Sequence, residues 1–217
     1  MMHIGSSGFY EDVRRDMEQL RGQDYVFFYE WVKAGTPESL ERLSQLMGMN
    51  ISEKMYEVFA QMGNLATQDG NLFLGILPST NVDISTDEII TLAGAQKIQE
   101  PMNIPEQNIM EMVQGRYPTM NDFQKNLIRV MMRGVMNILL RTYTNPTLTQ
   151  ELEKSIPVFD IILNKRNDIL VDAIITSPVP NIYIHYGALH YPGVLKKLQE
   201  KDPRWQEIAR TEFQVIR

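Results

Sequence analysis

The chain has 217 residues, a formal net charge of −6, no cysteine and three histidines, with a pI near 5.2. The missing cysteine excludes disulfides, thiolate catalysis and a Cys-ligated zinc, and the acidic balance argues against a nucleic-acid surface. With 43% hydrophobic and 22% charged residues it has ordinary globular usage, and no apolar run approaches the ~18 residues that span a bilayer.

Met1 to Ile4 reads as the tail of a first strand. Gly5-Ser6-Ser7-Gly8 is a turn in which Ser6 or Ser7 is placed to cap a helix. Phe9, Val13, Met17 and Leu20 give that helix its apolar stripe, and Gly22 ends it. Asp24 to Val32 is nearly continuous in apolar and aromatic residues, with Glu30 near its end. A run apolar on both faces reads as a buried parallel strand. Strand, helix and strand make a βαβ unit. That unit would bring His3 and Glu30 to one edge of a sheet.

From about 37 to 143 the pattern is mostly helical. Thr36-Pro37-Glu38 starts one helix, with Leu40, Leu43, Leu46 and Met47 inward. Ser52-Glu53 starts another, with Met55, Val58, Phe59 and Met62 inward. Leu72 to Leu77 is a short apolar segment with strand character. Ser85 is placed to cap a helix from Thr86. Gln99 to Glu106, with two prolines, reads as a loop. Asn121 to Thr142 reads as one long helix, with Phe123, Leu127, Val130, Met131, Val135, Ile138 and Leu139 inward. The expectation is a helical insertion in a single domain that covers 1–217.

After the insertion the α/β pattern returns. Ile169, Leu170, Ala173 and Ile174 line a helix that ends before Ser177-Pro178. Asn181 to Lys197 reads as strand, turn and helix. Ile182, Ile184 and Tyr186 alternate with Tyr183 and His185. Gly187 ends the strand, and Pro192 suits a first helical turn because the N–H it lacks has no partner there. His190 stands at the junction, the carboxyl end of a strand, where open α/β sheets bind ligands. Neutral imidazole is the form that binds a metal or accepts a proton. Trp205 to Ile216 alternates loosely and reads as a final edge strand. The fold class expected is α/β: a mainly parallel central sheet flanked by helices.

These blocks together resemble the TraB/PrgY/GumN family, which includes Tiki-type proteases and is related to erythromycin esterase and ChaN-type proteins. GALHYPGVLKKL looks like the family's second G-x-x-H block, with Gly187 and His190 in the defining places. MMHIGSSGFYEDV looks like the first block, with His3 as its histidine. VFFYEWV puts Glu30 in the glutamate place, and KRNDILVDAI puts Arg166 and Asn167 in the place of an R-N pair that opens a helix. NVDIST, around Asp83, looks like the aspartate segment. The glycine expected three places before His3 would fall before Met1, so the first block is incomplete. His185 is an extra histidine at a place usually small or apolar, and it is read as covering a sheet face.

The resemblance implies a hydrolytic site formed by His3, Glu30, Arg166 and His190. In the Tiki-like form, His3, Glu30 and His190 hold a divalent metal (Mn, Co or Zn) whose bound water attacks a peptide bond. In the esterase-like form no metal is needed: a histidine paired with Glu30 takes a proton from water and Arg166 stabilises the oxyanion. A third form is a module that binds a peptide or another ligand without turning it over. The partner expected is a peptide or small-molecule substrate, with no nucleic acid and no membrane span. The first residues are neither basic nor followed by an apolar run, so a cytoplasmic protein without a cleavable leader is expected.

Overall fold

The structure, a computed structural model, describes residues 4–47, 53–68, 74–94, 115–143, 161–209 and 215–216. In chain order its elements are β1 (Ile4–Gly5), α1 (Ser7–Gln19), β2 (Tyr25–Tyr29), α2 (Pro37–Met47), α3 (Glu53–Gly63), β3 (Ala66–Thr67), β4 (Ser79–Asn81), α4 (Thr86–Ala93), α5 (Asp122–Tyr143), α6 (Arg166–Thr176), β5 (Asn181–His185) and α7 (His190–Lys201). The architecture is mixed α/β, as the patterning predicts.

The organising strand is β2. It pairs in parallel with β4 on one side and with β5 on the other. Its YVFFY sequence is apolar on both faces because both faces are covered. Tyr25, Phe27 and Tyr29 pack with Phe9, Tyr10, Val13 and Met17 of α1. Val26 and Phe28 pack with Leu170, Val171 and Ile174 of α6 and with Val194 and Leu198 of α7. The period of two along a strand makes this division automatic. In register, Tyr29 stands opposite Asn81 and opposite His185. All three strands therefore run out at one level, and the segments that follow them share one edge.

The βαβ unit expected at the start is not formed. Ile4 and Gly5 pair antiparallel with Thr67 and Ala66, apart from the main sheet. Ser6 turns to the far end of the chain, where its N–H and its hydroxyl both donate to the Val215 carbonyl, at 2.8 Å and 3.1 Å. The backbone of β1 is thus paired with β3, and the Ser6 N–H with Val215, rather than with β2. His3 lies outside the described residues.

The interval read as helical insertion also carries strands. β4 is built from Ser79-Thr80-Asn81, a polar run with no strand signal of its own. The apolar segment just before it turns instead at Leu74–Leu77, with Gly75 at φ +81°, and Ile76 and Leu77 enter the core beside α1. Residues 72–73 and the loop expected at 99–106 lie outside the described residues.

α5 forms as predicted but turns over. The pattern puts Phe123, Leu127, Val130, Met131, Val135 and Ile138 inward, but they are 50–77% exposed. The inward face instead carries Ile128 and Met132, which pack on Val58 and Met62 of α3. The helix has apolar residues on two faces, and periodicity alone does not choose between them. Leu40 on α2, also expected inward, is exposed, whereas Leu46 is buried. The final strand is absent over 205–209, which are irregular; 210–214 lie outside the described residues.

Candidate active site

Three of the four residues expected in a site are described, and the fold brings all three together. Glu30 is the first residue past β2. Its backbone N–H still donates to the His185 carbonyl at 3.1 Å, so the ladder carries it to the edge. By alternation its side chain follows Val26 and Phe28 to the face covered by α6 and α7. Those helices begin with the other two residues: Arg166 opens α6 and His190 opens α7. A π-helical turn, Ile161–Lys165, leads into α6.

Arg166 is 5% exposed, and its guanidinium joins two carboxylates. Nε and Nη2 donate side by side to Asp83 Oδ1 and Oδ2, each at 2.7 Å. Nη2 also donates to Glu30 Oε1 at 2.6 Å. The planar fork matches a carboxylate edge, which a lysine cannot reproduce. Asp83 stands two residues past β4 between the buried Val82 and Ile84. Its Oδ1 also accepts from the Ile84 N–H at 2.9 Å.

The other Glu30 oxygen, Oε2, accepts from the Gly187 N–H. A Cβ at Gly187 would lie 3.2 Å from that oxygen and 3.3 Å from His190 Cδ2. Glycine therefore lets the backbone come close to the carboxylate. His190 Nε2 faces Glu30 Oε1 at 3.6 Å, in electrostatic contact but beyond hydrogen-bond length. Its Nδ1 lies 2.6 Å from Asn167 Oδ1. The Tyr186 ring meets the imidazole edge-on, with centroids 5.3 Å apart and planes at 87°.

Burial alone would push the Glu30 carboxyl up. The neighbouring His190, the Arg166 charge and the Gly187 N–H together overcome this and hold it well below the usual carboxylate range. Glu30 is therefore a permanent anion near neutral pH. Burial likewise works against the Arg166 charge, and the Glu30 and Asp83 carboxylates outweigh it. Burial pushes the Tyr186 hydroxyl up, so it stays protonated.

Nε and Nη2 of Arg166 are on carboxylates, so the group orients Glu30 and Asp83. Asp83 and Asn167 entered the sequence reading only through the resemblance, with no place in the site, yet Asp83 shares the arginine and Asn167 holds His190. The signal for Asp83 is a lone acid inside an apolar run, Val82-Asp83-Ile84. His185 shares the face of Tyr183 and Phe27, whose ring centroid lies 5.9 Å away. It is buried on the opposite face from Glu30, covering the sheet as read.

A divalent metal would need three or more ligands, and among the described residues no three His, Asp or Glu side chains are placed to hold one. Glu30 offers no unengaged oxygen, and a dication on Oε1 would sit against a guanidinium. The described residues do not fit a metal on their own, and His3, the remaining ligand expected, lies outside them. No described helix is long and apolar enough to cross a membrane. Compared with family models, with curated proteins and with solved structures, the chain matches none.

Proposed function

We propose that the protein is a hydrolase of ester or peptide bonds, with His190 as the proton-transfer group and Glu30 as its supporting carboxylate. The observation that carries this reading is His190 Nε2 facing an ionised, immobilised Glu30 at 3.6 Å, at the carboxyl edge of a parallel sheet. That edge is where open α/β sheets bind ligands.

His190 Nε2 takes a proton from water as the oxygen attacks the substrate carbonyl, and returns it to the leaving group when the tetrahedral intermediate collapses. Glu30 stabilises the imidazolium formed in between. Such proton transfer contributes typically ~10²–10⁴-fold. Arg166 is a positioning residue: it keeps Glu30 charged and fixed. The TraB/GumN resemblance supports the same reaction class, and in its metal-dependent form adds His3 as a ligand beside Glu30 and His190.

The test is a panel of activated esters and peptides, assayed on protein purified without a His-tag, with and without chelator, and with metal content measured. Turnover that survives the chelator and disappears in His190→Ala is the expected result. Turnover lost with the chelator and restored by Mn, Co or Zn would replace it with the metal-dependent reading. Tight peptide binding with no turnover across the panel would make the protein a binding module.

A further inference from the structure

We infer that Asn167 sets the tautomer and ring plane of His190, as a positioning residue that leaves Nε2 as the reactive nitrogen; this rests on the hydrolase reading above. Asn167 and His190 are 2% and 3% exposed. The Asn167 Oδ1 to His190 Nδ1 distance is 2.6 Å. A carbonyl oxygen only accepts, so the contact is a hydrogen bond only when Nδ1 carries a proton. In the neutral ring the lone pair is then on Nε2, the nitrogen that faces Glu30.

The asparagine is itself held. A Cβ on Gly193 would collide with Asn167 Nδ2, so the first turn of α7 touches both ends of the amide: His190 at the oxygen and Gly193 at the nitrogen. The edge-on Tyr186 ring restricts rotation of the imidazole. The opening of α6 therefore serves both halves of the site. Arg166 orients the carboxylate, and Asn167 orients the base. Orienting a histidine through its second nitrogen fixes which nitrogen does the chemistry.

Long-range ¹H–¹⁵N correlation of ¹⁵N-histidine-labelled protein tests this, at a pH where the ring is neutral. With three histidines in the chain, a His190→Asn sample assigns the signal. The expected result is an Nδ1–H pattern in the wild type and in Asn167→Asp, which keeps the acceptor oxygen. In Asn167→Leu the pattern moves to Nε2–H or a mixture, with kcat down at least tenfold and KM little changed. An Nε2–H ring in the wild type, or an Nδ1–H ring that persists in Asn167→Leu, overturns the inference. If Asn167→Leu does not fold, Asn167→Ala removes the amide instead, and a retained Nδ1–H pattern there overturns it equally. The tautomer is read without substrate, so a protein that hydrolyses nothing would overturn the proposed function and leave this result readable.

Discussion

Arg166 and Glu30 stand 136 positions apart and meet at 2.6 Å, with 6% and 11% of their side chains exposed. The contact ties the end of β2 to the start of α6, and through Asp83 to the segment after β4. Removing the cation would leave two desolvated carboxylates side by side. Breaking a buried ion pair from one side typically costs ~3–5 kcal/mol. Arg166→Met is expected to lose stability of that order in urea denaturation. Asp83→Asn with Glu30→Gln in the same background should recover a good part of it. If Arg166→Met alone is as stable as the wild type, the arginine is not holding these acids.

Catalysis separates the roles of the two site residues that face each other. Glu30→Gln keeps shape and removes charge. It is expected to lower kcat by ~10–10³-fold with KM little changed, because the charge matters once the imidazolium forms. His190→Ala should remove turnover altogether, while circular dichroism stays that of the wild type. Full activity in both variants would show the cluster to be structural.

How far the sequence carried this picture depended on whether a signal was local. β2, β5, α6 and α7 were readable because their residues alternate or recur at 3.6, and Glu30 and His190 could be placed because they end or begin such elements. β4 was unreadable: Ser79-Thr80-Asn81 has no apolar face, and only its pairing with Phe27, Phe28 and Tyr29 makes it a strand. Asp83 shows in the sequence only as an acid between Val82 and Ile84, since its partner is an arginine 83 positions away. The resemblance brought Asp83 and Asn167 into view without saying what they touch.

The helix α4 starts where its local sequence predicts, at the residue after Ser85. Ser85 accepts from the Glu88 N–H at 3.2 Å, and Glu88 accepts from the Ser85 N–H at 2.6 Å. This is a reciprocal capping box. Ser85→Ala is expected to cost about 1 kcal/mol, measured by chemical denaturation, with no change in the site. A neutral result would mean that packing of Ile89 and Ala93 alone holds the helix.

The two faces of α5 should respond in opposite ways. Met62 of α3 is 6% exposed and packs against Ile128 and Met132. Met62→Ala should therefore cost ~2–5 kcal/mol. Val130 on the outer face is 60% exposed, and Val130→Ser should stay within ~0.5 kcal/mol. The reverse order in paired denaturation curves would restore the orientation that periodicity first indicated.

The last prediction concerns acid. Burial is the main cause that brings His185 down to about 3 from its ordinary 6.5, with the Glu30 charge acting the other way. Between those values the unfolded chain binds a proton at this histidine and the folded chain does not. By linkage, stability must then fall as pH falls, starting near 6.5 and continuing to about 3, by ~1.4 kcal/mol per pH unit when this group acts alone. Glu30 acts in the same direction but lower. Its folded value lies below its ordinary 4.5, so its contribution is complete above 4.5 and is lost as pH falls from there through the folded value. Between 6.5 and 4.5 the Glu30 contribution is therefore constant, and the His185 slope is read without it. Urea denaturation of the wild type should show a positive slope of stability with pH across that window. His185→Leu, which keeps an apolar group against Phe27, should flatten the slope there and leave the loss below 4.5. A wild type whose stability is level between pH 4.5 and 6.5 would mean that His185 takes up its proton in the folded protein, and the burial argument would fail.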